Sequence, residues 1–195
     1  MIQSYKIDFL KMDIKSFSKK TLDFTIKRIA EIIGIVMAVS SILLFLALFT
    51  YSPDDPNFIF TENTSVKNLL GFKGSYISDL FLQSVGMVSF LISLTIFFTG
   101  VNLIKNKKFL IIIENIFYLI LYSILGCLFL NFFYPNSFWL SINGNGGFVG
   151  NFLQNTFLEN IINLNKNISY YALIIFIIFF FLVSINFSIS FLKNL

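Results

Sequence analysis

Four long apolar stretches separated by short polar segments organise this chain. They run from about Ile32 to Thr50, Leu80 to Ile104, Leu110 to Tyr134 and Ser169 to Leu192. A helix rises about 1.5 Å per residue, so roughly 20 apolar residues cross the roughly 30 Å hydrocarbon layer of a bilayer. Each stretch therefore predicts one transmembrane helix. The first is read as a retained helix and not a cleaved signal. Asp8, Asp13 and Asp23 lie ahead of it, and no small-x-small site leads into Tyr51.

Two shorter patterns add to this frame. Ile7, Leu10, Ile14 and Phe17 recur at spacings of three and four, with Lys11 and Lys15 elsewhere around the turn. This predicts an amphipathic helix lying on the inner leaflet, although docking to a cytoplasmic partner would use the same face. In the third loop, Phe152, Leu153, Phe157, Leu158, Ile161 and Ile162 form an apolar stripe with Asn155, Glu159 and Asn160 interspersed. That stripe predicts a short interfacial or re-entrant helix. The expected fold is an all-α integral membrane protein. It divides into a basic arm (1–28), a four-helix membrane domain (29–192) and a cytoplasmic end (193–195).

Composition supports the frame. Of 195 residues, 56% are hydrophobic and only 12% charged, against about a quarter charged in ordinary soluble domains. The abundance of Phe, Ile, Asn and Lys is also what an AT-rich genome gives, so it carries no weight by itself. The distribution of positive charge does. Lys6, Lys11, Lys15, Lys19, Lys20, Lys27 and Arg28 precede the first span, Lys105, Lys107 and Lys108 fill the second loop, and Lys193 follows the fourth span. The first and third loops hold Lys67, Lys73 and Lys166. By the positive-inside rule, the N-terminus, second loop and C-terminus face the cytoplasm. The net charge of +4 is then explained by orientation and anionic lipid, so direct nucleic-acid binding is not expected.

Several chemistries are removed. With no His there is no His-based acid–base relay, triad or metal site. The single Cys127 cannot form an internal disulfide, and no G-x-x-x-x-G-K-[ST] stretch is present. Glu31, Asp79 and Glu114 fall near predicted span ends, leaving no ionisable group at mid-depth for an ion pathway. Small residues four apart (Gly34 and Ala38, Ser89 and Ser93, Thr95 and Thr99, Ser184 and Ser188) suit close helix packing, either between copies or within one subunit. Asn102, Asn131 and Asn186 fit the same use. No cofactor, metal site or catalytic residue is expected.

The outward loops carry the distinctive residues. The first opens Ser52-Pro53-Asp54-Asp55-Pro56, which reads as a turn more readily than as a cation site, because two carboxylates fall short of the six to eight oxygens that Ca²⁺ takes. It continues through Asn68, Gly71 and Gly74 to Asp79 and the second span. The third holds Gly146, Gly147 and Gly150. A Gly-rich loop ahead of a helix can cradle phosphate, but no Lys follows and no strand precedes.

With these three elements in this order on four spans, the chain resembles the N-terminal four-helix membrane domain of the FtsK/SpoIIIE family of bacterial DNA translocases. The resemblance runs from about Ile26 onward. It rests on the S-x-x-D-P-like turn at Ser52–Pro56, the Asn68-to-Leu80 run with Gly86 further in, and the Gly146-Gly147-x-x-Gly150 element. It implies a cytoplasmic-membrane location at the division septum, contacts with other division proteins, and association of several copies. In the family a cytoplasmic linker and a hexameric RecA-like ATPase follow. These 195 residues hold neither, so no ATP-driven activity is expected of them. A small membrane transport or channel subunit is the alternative, and an intramembrane enzyme lacks the residues it would need.

The orientation has a direct check. A reporter fused after Lys107 is expected to be active in the cytoplasm and one fused after Asn145 outside it. The reverse pattern overturns the topology.

Overall fold

The computed structural model describes residues 2–57, 65–137, 139–140 and 142–187, with side chains described from residue 19 onward. Among the described residues seven α-helices follow one another: α1 (Ile2–Phe49), α2 (Gly71–Val85), α3 (Ser89–Asn106), α4 (Leu110–Phe133), α5 (Gly147–Gln154), α6 (Leu158–Leu164) and α7 (Lys166–Ser184). A 3₁₀ turn at Gly86–Val88 joins α2 to α3. Four segments are long and apolar enough to cross a membrane, namely Lys19–Phe49, Gly71–Asn106, Leu110–Phe133 and Lys166–Ser184.

Three boundaries differ from the sequence pattern. The arm and the first span form one uninterrupted helix of 48 residues. At about 1.5 Å per residue it is roughly 72 Å long, well beyond one bilayer crossing. The side chains of the arm's apolar face, Ile7 to Phe17, lie outside the described ones.

The second membrane segment starts nine residues earlier than the apolar run, at Gly71. Gly74, Ser75, Ser78, Asp79 and Leu82 are buried along α2, so this helix turns a polar face inward. Hydropathy alone misses such a helix.

The fourth helix stops at Ser184, short of Leu192. Asn186 adopts a positive φ of 54°, and its Nδ2 donates to Asn115 Oδ1 at 2.8 Å. Asn102 Nδ2 also donates to the Ile185 carbonyl. The helix end is thus tied to α3 and α4. Residues 188–195, with Ser188 and Lys193, lie outside the described ones.

The interior is built from small and hydroxylated residues. Lipid tails are as apolar as leucine, so burying leucine brings helices together weakly, while small residues let backbones approach. α1 packs along α3. They meet closely at Gly34 and Gly100, where a Cβ on Gly34 would sit 2.7 Å from the Gly100 carbonyl oxygen. One on Gly100 would sit 2.6 Å from the Gly34 oxygen and 2.9 Å from the Ala38 nitrogen. The Gly34/Ala38 pair is therefore used within the subunit.

So are the hydroxyls. Thr95 Oγ1 bonds Tyr122 at 2.9 Å and Ser184 at 3.1 Å, and Asn115 Nδ2 donates to Thr99 Oγ1 at 2.9 Å. These bonds stitch α3, α4 and α7 together. At the far end of the α1–α3 pair, Glu31 takes ion pairs from Arg28 and Lys107. Large apolar side chains such as Ile113 and Ile175 point outward, where lipid covers them.

Gly100→Val places two methyl groups against the α1 backbone, and overpacking of this kind costs about 2 kcal/mol or more. A lower thermal midpoint in detergent than the unaltered chain is expected, followed by circular dichroism. Ile113→Val, on the lipid face, should leave the midpoint unchanged.

Candidate functional site

The chain's distinctive residues converge on the loop end of the bundle. After α1 ends, Pro53 fixes the backbone and Ser52 organises a turn, its carbonyl accepting the Asp55 N–H at 3.2 Å and its Oγ the Asp54 N–H at 3.4 Å. The two neighbouring acids then part. Asp54 is exposed and pairs with Lys67 Nζ at 2.7 Å. That contact, first as a hydrogen bond and then as a charge, raises the Lys67 pKa.

Asp55 is 4% exposed. Its Oδ1 accepts the Lys67 N–H at 2.8 Å and its Oδ2 the Asn68 N–H at 2.9 Å. One carboxylate thus closes the loop by satisfying two backbone donors. The two acids do not form a cation cage, and among the described residues no group of three or more His, Cys, Asp or Glu could hold a metal ion.

Asn68 continues the lock. Its Nδ2 donates to the Ala47 carbonyl in the last turn of α1 at 2.8 Å, and its Oδ1 accepts the Leu70 N–H at 3.0 Å. Gly71 then starts α2 at a φ of 65°, its N–H bonded to the Asn68 carbonyl. A Cβ on Gly74 would overlap Asn68 Oδ1, so glycine there lets the amide reach its partners. Ser75 Oγ donates to the Pro56 carbonyl at 2.6 Å, pinning the turn onto α2.

Asp79 lies two turns into α2 and is 7% exposed. Sequence placed it where water or headgroups could solvate it; instead the protein does. Tyr51 OH donates to its Oδ1 at 3.1 Å, with Gln83 Nε2 at 3.5 Å. Burial first, and the Asp79 charge next, push the Tyr51 pKa up to about 12, so the phenol stays a donor throughout the neutral range.

The glycines of the third loop form a second cluster against the α2–α3 break. Gly86 has a φ of 62° and no room for a side chain beside Asn145. Three backbone groups at the break find partners outside the helical ladder. The Met87 N–H donates to the Asn145 carbonyl at 2.9 Å, Ser89 Oγ to the Gly86 carbonyl at 2.6 Å, and Cys127 Sγ to the Val85 carbonyl at 3.2 Å. Gly147 packs on the Gly86 nitrogen and the Ser84 carbonyl. Gly146 and Gly150 pack α5 onto α4 at Cys127 and Asn131, with a Cβ on Gly150 only 2.6 Å from the Cys127 oxygen. Asn131 Nδ2 donates to Gln154 Oε1.

Gln83 joins the two clusters. It reaches Asp79 through Nε2, and its Oε1 accepts Asn143 Nδ2 at 3.0 Å. Sequence reading missed Gln83 and the burial of Asp79. The signal was faint: a Gln one turn after an Asp, on a helix starting ahead of the apolar run.

The arrangement defines a class: a polytopic helical membrane protein whose distinctive residues build a folded cap. The matched family is the 4TM region of DNA translocase FtsK/SpoIIIE, covering residues 26–194, and this chain belongs to it. DNA translocase FtsK of Azospirillum brasilense is 30% identical over 94 residues, 47% of this chain and 15% of that protein. The Rhizobium meliloti protein of the same name is 27% identical over 130 residues, 67% of this chain and 15% of its own length. That of Caulobacter vibrioides is 39% identical over 69 residues, 35% of this chain and 8% of its own length. The matched stretches thus span a small part of these relatives. No solved structure matches the chain.

The two acids give the sharpest test of the cap. Asp55→Ala strands the buried Asn68 N–H and the partly buried Lys67 N–H, a buried unsatisfied donor costing about 1–3 kcal/mol, and a clear drop in thermal midpoint is expected. Asp54→Ala removes an exposed ion pair, a kind that contributes little, and should leave the midpoint unchanged. Equal effects would show that Asp55 does not hold the loop.

Proposed function

We propose that this chain is the septal membrane anchor of an FtsK-type DNA translocase, taking part in cell division and chromosome segregation. Membership of the 4TM family over residues 26–194 is the observation that carries this reading. In it, the domain lies in the bacterial cytoplasmic membrane with both termini inside, as the Lys and Arg distribution favours. Copies of the chain associate there and keep whatever is attached on the cytoplasmic side at high local concentration. Other division proteins are met at the septum, and the folded outward cap gives them a fixed surface.

No residue of the chain is assigned chemistry. Ser52, Pro53, Asp54, Asp55, Pro56, Asn68, Gly71, Gly74, Asp79, Gly146, Gly147 and Gly150 serve as structural determinants of the cap. The transport reading gains no support from the polar groups inside the bundle. Thr95, Thr99, Asn115, Tyr122 and Ser184 are bonded to one another or to neighbouring backbone.

The test is localisation. A fluorescent fusion of the chain is expected to gather at midcell in dividing cells. Uniform peripheral fluorescence, with normal expression and division, would count against a septal role.

A further inference from the structure

An apolar groove of about 480 Å³ opens between α1 and α2. Leu43, Leu44 and Ala47 form one wall, Ile77 and Phe81 the other, and Lys73 stands at the loop end. The hydroxyls at its deep end are already spent, Ser40 Oγ donating to the Met37 carbonyl and Ser41 Oγ to that of Ala38. The groove therefore offers a guest dispersion and apolar burial along its length, and one cation at its mouth.

Its length is informative. Its α1 wall runs from Ala47, near the loop end of the helix, to Ser40, seven residues or about 10 Å of helix. That is about a third of the roughly 30 Å hydrocarbon layer. The groove thus takes the headgroup-proximal part of one leaflet's acyl chain. It also faces outward, since Leu43 and Ile77 are 46% and 45% exposed. Lys73 is exposed and, among the described residues, makes no ion pair, whereas Lys67 is held by Asp54 and Lys107 by Glu31.

We infer that this groove is a binding site for an anionic phospholipid of the leaflet on the side of residues 51–70. One acyl chain lies between α1 and α2, and the phosphate rests on Lys73 Nζ. The inference depends on membrane insertion and is independent of any role at the septum.

Fluorescence quenching by brominated lipid tests it. The chain has a single Trp, so Trp139→Phe combined with Phe81→Trp places one reporter in the groove. Trp139→Phe with Ile77→Trp, at a more exposed wall position, serves where Phe81→Trp does not fold. Each is reconstituted in vesicles of dioleoyl-phosphatidylcholine containing a minor fraction of dibromo-phosphatidylglycerol or dibromo-phosphatidylcholine. A reporter on the α4 lipid face (Trp139→Phe, Phe117→Trp) is the reference.

One basic residue near a membrane surface supports a preference of about five-fold for anionic lipid. The groove reporter is expected to show that preference, the α4 reporter to show none, and Lys73→Gln to abolish it. Equal quenching by both lipids in the groove overturns the assignment, as does a preference that survives Lys73→Gln. No quenching by either lipid would mean that a protein helix fills the groove, and this also overturns it.

Discussion

Backbone N–H and C=O groups shut away from water must find partners in the protein, and this chain breaks a helix at Gly86, at the loop end of the bundle. The helical segment from Gly71 to Asn106 has 36 residues, about 54 Å if straight, against a hydrocarbon layer of roughly 30 Å. Its ladder of hydrogen bonds ends at Val85 and begins again at Ser89, near the loop end of α1, where the Phe45 and Phe90 rings lie 5.8 Å apart. Non-helical backbone packed inside protein persists only where its polar groups are bonded. Asn145, Ser89 and Cys127 do so, each answering one backbone group of the break. The third loop is therefore a structural part of the second span. Gly147 lacks a side chain so that it can lie against the Gly86 nitrogen, and Gly146 and Gly150 lack one so that α5 can lie on α4.

The same constraint shapes the first loop. Two backbone N–H groups at Lys67 and Asn68 are turned inward, and a buried carboxylate meets both. Burying a charge is costly unless it is well bonded, and Asp55 is. Once Asp55 has fixed Asn68, the amide can clasp the end of α1 and the start of α2, provided position 74 lacks a side chain. In the membrane body the solution differs. There the polar groups are hydroxyls and amides, and pairs such as Thr95–Tyr122 or Asn115–Asn186 bind neighbouring helices without a buried net charge.

Much of this was legible from the chain. Hydropathy located the four membrane segments, because about 20 apolar residues have few other uses, and the third span is matched within a residue. The helix ends were not legible where tertiary bonds set them. α2 starts at Gly71 because Asn68 launches it, and α7 stops at Ser184 because Asn115 and Asn102 hold the residues that follow. Ser52 to Pro56, Asn68 and the three glycines of the third loop stood out by type and spacing. Their grouping into two clusters did not, since the first depends on Asp55 choosing backbone donors over its neighbour's lysine. Gln83 carries no mark in the sequence, yet it connects the clusters.

That connection changes what the loop-end surface can do. Two independent loops would offer a partner two mobile segments, each ordered at an entropic cost on binding. Here a path of hydrogen bonds runs from Tyr51 through Asp79 and Gln83 to Asn143, and Asn151 Nδ2 extends it to the Asn143 carbonyl. The residues bonded along this path, the end of α1 and α5 are thus tied to one another. A contact on the first loop therefore bears on α5 and on the Gly86 break beneath it. The break in turn sets the direction of α3, which packs along α1 through Gly34 and Gly100.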